Sequence, residues 1–160
     1  MHREYGRTGS RIQKENQTPN KMTDTVYVTK SRILLADDHP GVLQTVAELL
    51  GDACQIIGSV SNGRVAVDTT IQQRPDVLLM DISMPVMNGI EATKYLIRYH
   101  TEAKIVILTV HDDPDFVNAA LGAGATGYVV KSHMATDLLP AIREAVAGHR
   151  FISPCLRMKN

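Results

Sequence analysis

From Ser31 onward, short apolar runs alternate with stretches whose apolar residues recur at helical spacing. Arg32–Ala36 (RILLA), Gln55–Val60 (QIIGSV), Val77–Met80 (VLLM), Lys104–Thr109 (KIVILT) and Gly127–Lys131 (GYVVK) read as five strands. Each is a near-continuous apolar run, the pattern of strands covered on both faces. Between them, HPGVLQTVAELL puts Pro40 in a first helical turn and Val42, Val46 and Leu49/Leu50 on one face. Gly63–Gln73 predicts a second helix, closed by Arg74-Pro75. Gly89–Tyr99 predicts a third, with Ile90, Thr93, Leu96 and Ile97 inward. Pro114–Ala123 and Ala135–Ala147 predict the last two, Pro140 lying in a first turn or at a bend.

Five strands alternating with five helices predict an α/β fold with a doubly wound, five-stranded parallel sheet. In such folds a ligand site lies beyond the carboxyl ends of the strands, where strand order reverses. The residues at those ends are therefore the ones to read. The first strand ends in Asp37-Asp38, the third in Asp81, the fourth in Thr109 and the fifth in Lys131. One polar residue there would be a turn or helix-cap side chain. Four strand ends sharing one edge make a constellation.

Three neighbouring carboxylates repel one another, and a hard divalent cation with oxygen ligands relieves that repulsion. Mg²⁺ suits few carboxylates plus water plus a phosphate. Lys131 offers a compact positive charge for a phosphoryl oxygen and Thr109 a hydroxyl for another. An aspartate can itself accept a phosphoryl group as an acyl phosphate. On this reading Asp81 is the acceptor, Asp37 and Asp38 hold Mg²⁺, and Lys131 and Thr109 grip the transferred group.

The segments LLADDHP, LLMDISMPVMNGIEATKYL, IVILTVHDD, ALGAGATGYVVKS and GHRFISP together resemble the receiver domain of two-component response regulators, nearest the NarL/FixJ (LuxR-type) branch. The resemblance covers about residues 31–154. It implies a flavodoxin-like (CheY-like) sheet of order 2-1-3-4-5, Mg²⁺ as cofactor, a sensor histidine kinase as phosphodonor and a role in transcription regulation. It matches Asp81 to the phosphorylated aspartate, Asp38 to the direct metal ligand, and Asp37 to the acid that holds the metal through water. The backbone carbonyl of Ser83 matches the remaining protein ligand. Thr109 and Tyr128 match the switch pair, in which the hydroxyl moves toward the phosphate and the aromatic ring turns inward. A phosphorylation-dependent homodimer is expected by the same analogy.

Three positions depart from the pattern. Ser132 follows the lysine where many receivers have proline, so no cis peptide is expected there. Val86 is β-branched at a loop position where Gly or Asp is common, and such a residue disfavours positive φ. NarL-type proteins continue past the F-I/L-S-P segment into a helix-turn-helix domain, whereas this sequence runs six residues beyond Pro154. DNA would then be reached only through a domain absent from this chain.

Other chemistry ranks lower. A haloacid-dehalogenase-type hydrolase also forms an aspartyl phosphate but wants Asp-x-Asp, and here the run is Asp81-Ile82-Ser83. A phosphate-independent interaction module on the same fold would have lost acids that are all present. The chain is thus expected to be a phosphoacceptor rather than an enzyme. His39 reads as a helix-start residue on the rim, and His111, His133 and His149 have no ligand spacing. GAGATG (Gly122–Gly127) follows a helix and precedes a strand, the reverse of a phosphate-cradling loop.

Composition changes this picture little. The chain is 44% apolar and 21% charged with net charge zero, so no basic footprint for nucleic acid is present. Cys54 and Cys155 have no partner spacing. Residues 1–30 are polar and read as a disordered extension, 31–153 as the receiver domain, and 154–160 as a short tail. With no apolar run near the roughly 20 residues of a membrane span, a cytoplasmic protein is expected.

Overall fold

A computed structural model describes residues 29–157. The expected disordered extension lies largely outside the described residues. The elements are β1 (Ser31–Ala36), α1 (Val42–Leu50), β2 (Cys54–Val60), α2 (Gly63–Gln73), β3 (Val77–Met80), α3 (Gly89–Arg98), β4 (Lys104–Thr109), α4 (Pro114–Ala123), β5 (Gly127–Val130), α5 (Met134–Val146), β6 (Phe151–Ile152) and α6 (Pro154–Arg157). All strand pairs are parallel, in the order β2-β1-β3-β4-β5-β6.

The apolar runs are continuous because each strand feeds two cores. Leu34, Ala36, Leu78, Met80, Ile105, Ile107, Tyr128 and Val130 face one side and pack with α2, α3 and α4. Ile33, Leu35, Val77, Leu79, Val106, Leu108 and Val129 face the other and pack with α1 and α5. This is the period-2 alternation of a strand with both faces dry.

Four expectations need correction or refinement. The sheet has six strands, not five: Phe151 and Ile152 pair with Gly127 and Tyr128. Two residues are too few to carry a strand pattern, and Leu156 on the following turn then packs into the first core. Pro40 precedes α1 instead of opening it, because Gly41 takes φ 88° as the residue before the helix. Pro140 stands inside α5 rather than in its first turn. It lies on the exposed face, where water can serve the Thr136 carbonyl that its missing N–H leaves free. Ile97, expected inward, is half exposed, its side chain lying over Gly124.

Candidate functional site

Register brings the acids together. Ala36 pairs with Met80, so the residues that follow them, Asp37 and Asp81, leave adjacent strands side by side. Thr109 pairs with Val130, which sets Lys131 one step beyond it. β2 lies on one side of β1 and β3 on the other, so the site stands at the reversal of strand order.

The loop after Asp81 is fixed by close backbone approaches. Gly89 donates its N–H to the Ile82 carbonyl at 2.8 Å, and a Cβ on Gly89 would meet the Asp81 carbonyl. Gly63 donates to the Met87 carbonyl at 3.0 Å, and a Cβ there would likewise strike that carbonyl. Asn88 and Glu91 cap α3 reciprocally. Between these anchors Val86 takes φ 71° with its side chain in solvent. The chain thus imposes on a β-branched residue the backbone that its sequence disfavours.

At the centre Lys131 Nζ lies 2.8 Å from Asp37 Oδ2 and 3.1 Å from Asp81 Oδ2. The Asp37 and Asp81 side chains are 2% and 1% exposed. Asp81 Oδ1 accepts the Ile82 N–H at 2.7 Å and, more weakly, the Ser83 N–H at 3.4 Å. Burial alone would lower the Lys131 ammonium, but its hydrogen bond to Asp37 and the Asp81 charge outweigh that and raise it above the ordinary lysine range. It stays charged wherever the protein is folded at neutral pH. Asp38 is more open, its side chain 35% exposed.

The other half of the site is neutral. Thr109 is fully buried and its Oγ1 accepts the His111 N–H at 3.4 Å. The Tyr128 ring is fully buried, and its hydroxyl donates to the His111 carbonyl at 2.7 Å. Burial pushes the Tyr128 phenol up, and the charges of Asp112, Asp81 and Asp113 add to it. The His111 ring stacks on Phe116, centroids 4.2 Å apart, and its Nε2 lies 2.7 Å from Ser83 Oγ. His111 therefore ties the loop after β3 to the loop after β4 and to Tyr128.

All the sequence-identified side chains gather at one edge. Two histidines set aside in the sequence also belong there. His111 carries no spacing signal, since its partners come from the loop after β3, from α4 and from β5. His39 Nδ1 lies 3.0 Å from Asp37 Oδ1, 3.4 Å from Asp38 Oδ1 and 3.4 Å from Asp81 Oδ2. One donor atom from each of Asp37, Asp38, His39 and Asp81 falls within 4.8 Å of the others. Converging carboxylate oxygens, two of them on nearly buried side chains and balanced by one ammonium, fit a divalent cation.

A family model described as the response regulator receiver domain matches residues 33–143. Response regulator GacA of Pseudomonas viridiflava is 38% identical over 125 residues, covering 77% of this chain and 58% of that protein. The chain thus spans a little over half the length of such curated relatives. Among solved structures, a LuxR-family two-component response regulator from Aurantimonas sp. SI85-9A1 superposes with TM-score 0.76 at 32% identity, over 81% of this chain and 94% of that one. The isolated REC domain of RcsB from Salmonella enterica serovar Typhimurium, in the presence of phosphomimetic BeF₃⁻, gives 0.74 at 26% identity, over 81% and 98%.

Proposed function

The chain belongs to the response regulator receiver family, and from that premise we propose that Asp81 is its phosphoacceptor and a sensor histidine kinase its donor. The observation that carries this reading is the ammonium of Lys131 held between two nearly buried carboxylates, Asp37 and Asp81, at the carboxyl edge of the sheet. Phosphoryl transfer asks a protein chiefly for alignment and charge neutralisation. The Ile82 N–H on Asp81 Oδ1 fixes the rotamer of the nucleophile. A carboxylate oxygen of Asp81 attacks phosphorus as the P–N bond of a phosphohistidine breaks, the electron pair leaving with the imidazole. Lys131 then takes one equatorial oxygen and the Thr109 hydroxyl another. Mg²⁺ held by Asp37, Asp38, Asp81 and the backbone carbonyl of Ser83 would supply the positive charge that offsets carboxylates and phosphoryl oxygens.

The readout is the Thr109–Tyr128 pair, and Tyr128 is inward here, the position this reading assigns to the switched form. The output face is made by α4, β5 and α5. Phosphorylation favours a homodimer, and DNA is reached through a helix-turn-helix domain outside this chain. The protein accepts a phosphoryl group and is not a turnover enzyme. Among the described residues no helix is long and apolar enough to cross a membrane, and we assign it to the cytoplasm. Intact-mass measurement after incubation with acetyl phosphate tests the acceptor. One added phosphoryl group is expected with Mg²⁺, and none without it or in Asp81→Asn. An Asp81→Asn chain that takes up the group to the same level overturns the assignment.

A further inference from the structure

His39 is left without a role by the phosphoacceptor reading, yet its ring is turned into the acids. Its backbone N–H donates to Asp37 Oδ1 at 2.8 Å, which fixes the start of the turn. Gly41, at φ 88°, completes that turn ahead of α1. The result is an imidazole whose Nδ1 stands 3.0–3.4 Å from one oxygen of each of three carboxylates. Neighbouring donors around an octahedral ion with bonds of about 2.1 Å stand roughly 3 Å apart. His39 Nδ1 therefore stands toward the carboxylates as a ligand would.

We propose that His39 Nδ1 is a nitrogen donor to the divalent site, and that the site thereby favours a first-row transition dication of the Co²⁺, Ni²⁺ or Zn²⁺ class over Mg²⁺. The inference rests on the reading of Asp37, Asp38 and Asp81 as the cation site. Carboxylate and water suit Mg²⁺, whereas imidazole suits the later first-row ions, whose affinity for nitrogen rises along the series. Mg²⁺ keeps several waters and loses little when a nitrogen donor is removed. A later ion loses a bond. The ring is half exposed, so with Nδ1 on the metal its proton resides on Nε2, in contact with water. Lys131 Nζ lies 3.3 Å from the same nitrogen and shares Asp81 Oδ2 with it, while its shorter contact, 2.8 Å, is to Oδ2 of Asp37, the oxygen opposite the one His39 meets.

Calorimetric titration of the full chain with Co²⁺ and, separately, with Mg²⁺ tests this in wild type, His39→Ala and His39→Gln. Excess Mg²⁺ must displace Co²⁺, which places both ions in one site. Both substitutions should weaken Co²⁺ binding by about tenfold or more and change Mg²⁺ binding by less than about twofold. The Co²⁺-loaded wild type should also show a strongly shifted, exchangeable imidazole N–H proton resonance that His39→Ala lacks. Equal loss for both ions, with no shifted resonance, makes His39 a structural residue and overturns the proposal. Unchanged Co²⁺ affinity in folded His39→Gln does the same. Failure of wild type to bind Mg²⁺ and Co²⁺ alike, or binding that survives Asp81→Asn with Asp38→Asn, instead overturns the cation-site reading itself.

Discussion

The two halves of the site are built on different physics. Around Asp37, Asp81 and Lys131, three charged groups are withdrawn from water and hold one another by ion pairing. Around Thr109, His111 and Tyr128, neutral groups are joined by hydrogen bonds, a stacked ring pair and packing. A buried charge tolerates no missing partner, because the desolvation cost stays when the partner goes. A buried hydroxyl tolerates its loss much better, since its net hydrogen-bond contribution is modest. The charged half is thus brittle and the neutral half adjustable, the division that the proposed switch would require between its trigger and its moving part.

Removing the central cation is the severest test of that contrast. Lys131→Met leaves Asp37 and Asp81 facing each other without the ammonium between them, and breaking such a buried pair costs about 3–5 kcal/mol. Urea unfolding should show that loss, and Lys131→Met with Asp81→Asn should recover most of it. A double-mutant cycle that is additive would mean the two groups do not interact in solution. Added Mg²⁺ should raise the midpoint of the Lys131→Met chain more than that of wild type, since it supplies the missing charge.

In the neutral half the expected effects are smaller. Tyr128→Phe keeps the buried ring and loses only the hydroxyl on the His111 carbonyl, so about 1 kcal/mol of stability is expected to go. The same variant has a signature in pH. The folded-state phenol of Tyr128 is raised, so the stability it contributes is complete below the ordinary phenol range near 10 and drains away as pH rises above it. The unfolding midpoint should therefore fall more steeply above pH 10 in wild type than in Tyr128→Phe. Equal slopes would mean that the phenol is open to solvent, and that the ring is not packed inward.

The same contrast explains what could be read from the chain in advance. The charged half was legible because Asp37, Asp38, Asp81 and Lys131 end apolar strands at one edge of the sheet. Any one of them alone reads as a turn or cap residue, and only together do they mark a candidate site. The neutral half was not legible in that sense: Tyr128 was reached only through the family resemblance, and His111 was missed. Its three partners come from separate elements, Ser83 in the loop after β3, Phe116 in α4 and Tyr128 in β5, none at a fixed sequence offset. His39 was passed over for the opposite reason, since a histidine beside a proline at a helix start has an ordinary explanation. The sixth strand escaped because its two residues are ordered by β5 and not by their own pattern.

The smallest effect tests the segment that joins the halves, the loop running from Asp81 to Asn88. It bears Asp81, the proposed acceptor, at one end, Ser83 with its bond to His111 next, and Val86 in a left-handed conformation at φ 71°. That backbone costs a β-branched residue about 1–2 kcal/mol, and glycine would avoid the cost while giving up roughly 0.5–1 kcal/mol to its freer unfolded chain. Val86→Gly should therefore stabilise the protein slightly, by about 0.5 kcal/mol, despite losing an apolar side chain, because that side chain is 81% exposed and packs little. If the loop is held by its anchors at Gly63 and Gly89, relieving the strain should leave Asp81 in place, and phosphorylation by acetyl phosphate should run at an unchanged rate. A gain in stability accompanied by a slower phosphorylation rate would instead mean that the strain at Val86 holds the acceptor against Lys131, and that the brittle half depends on a neutral neighbour after all.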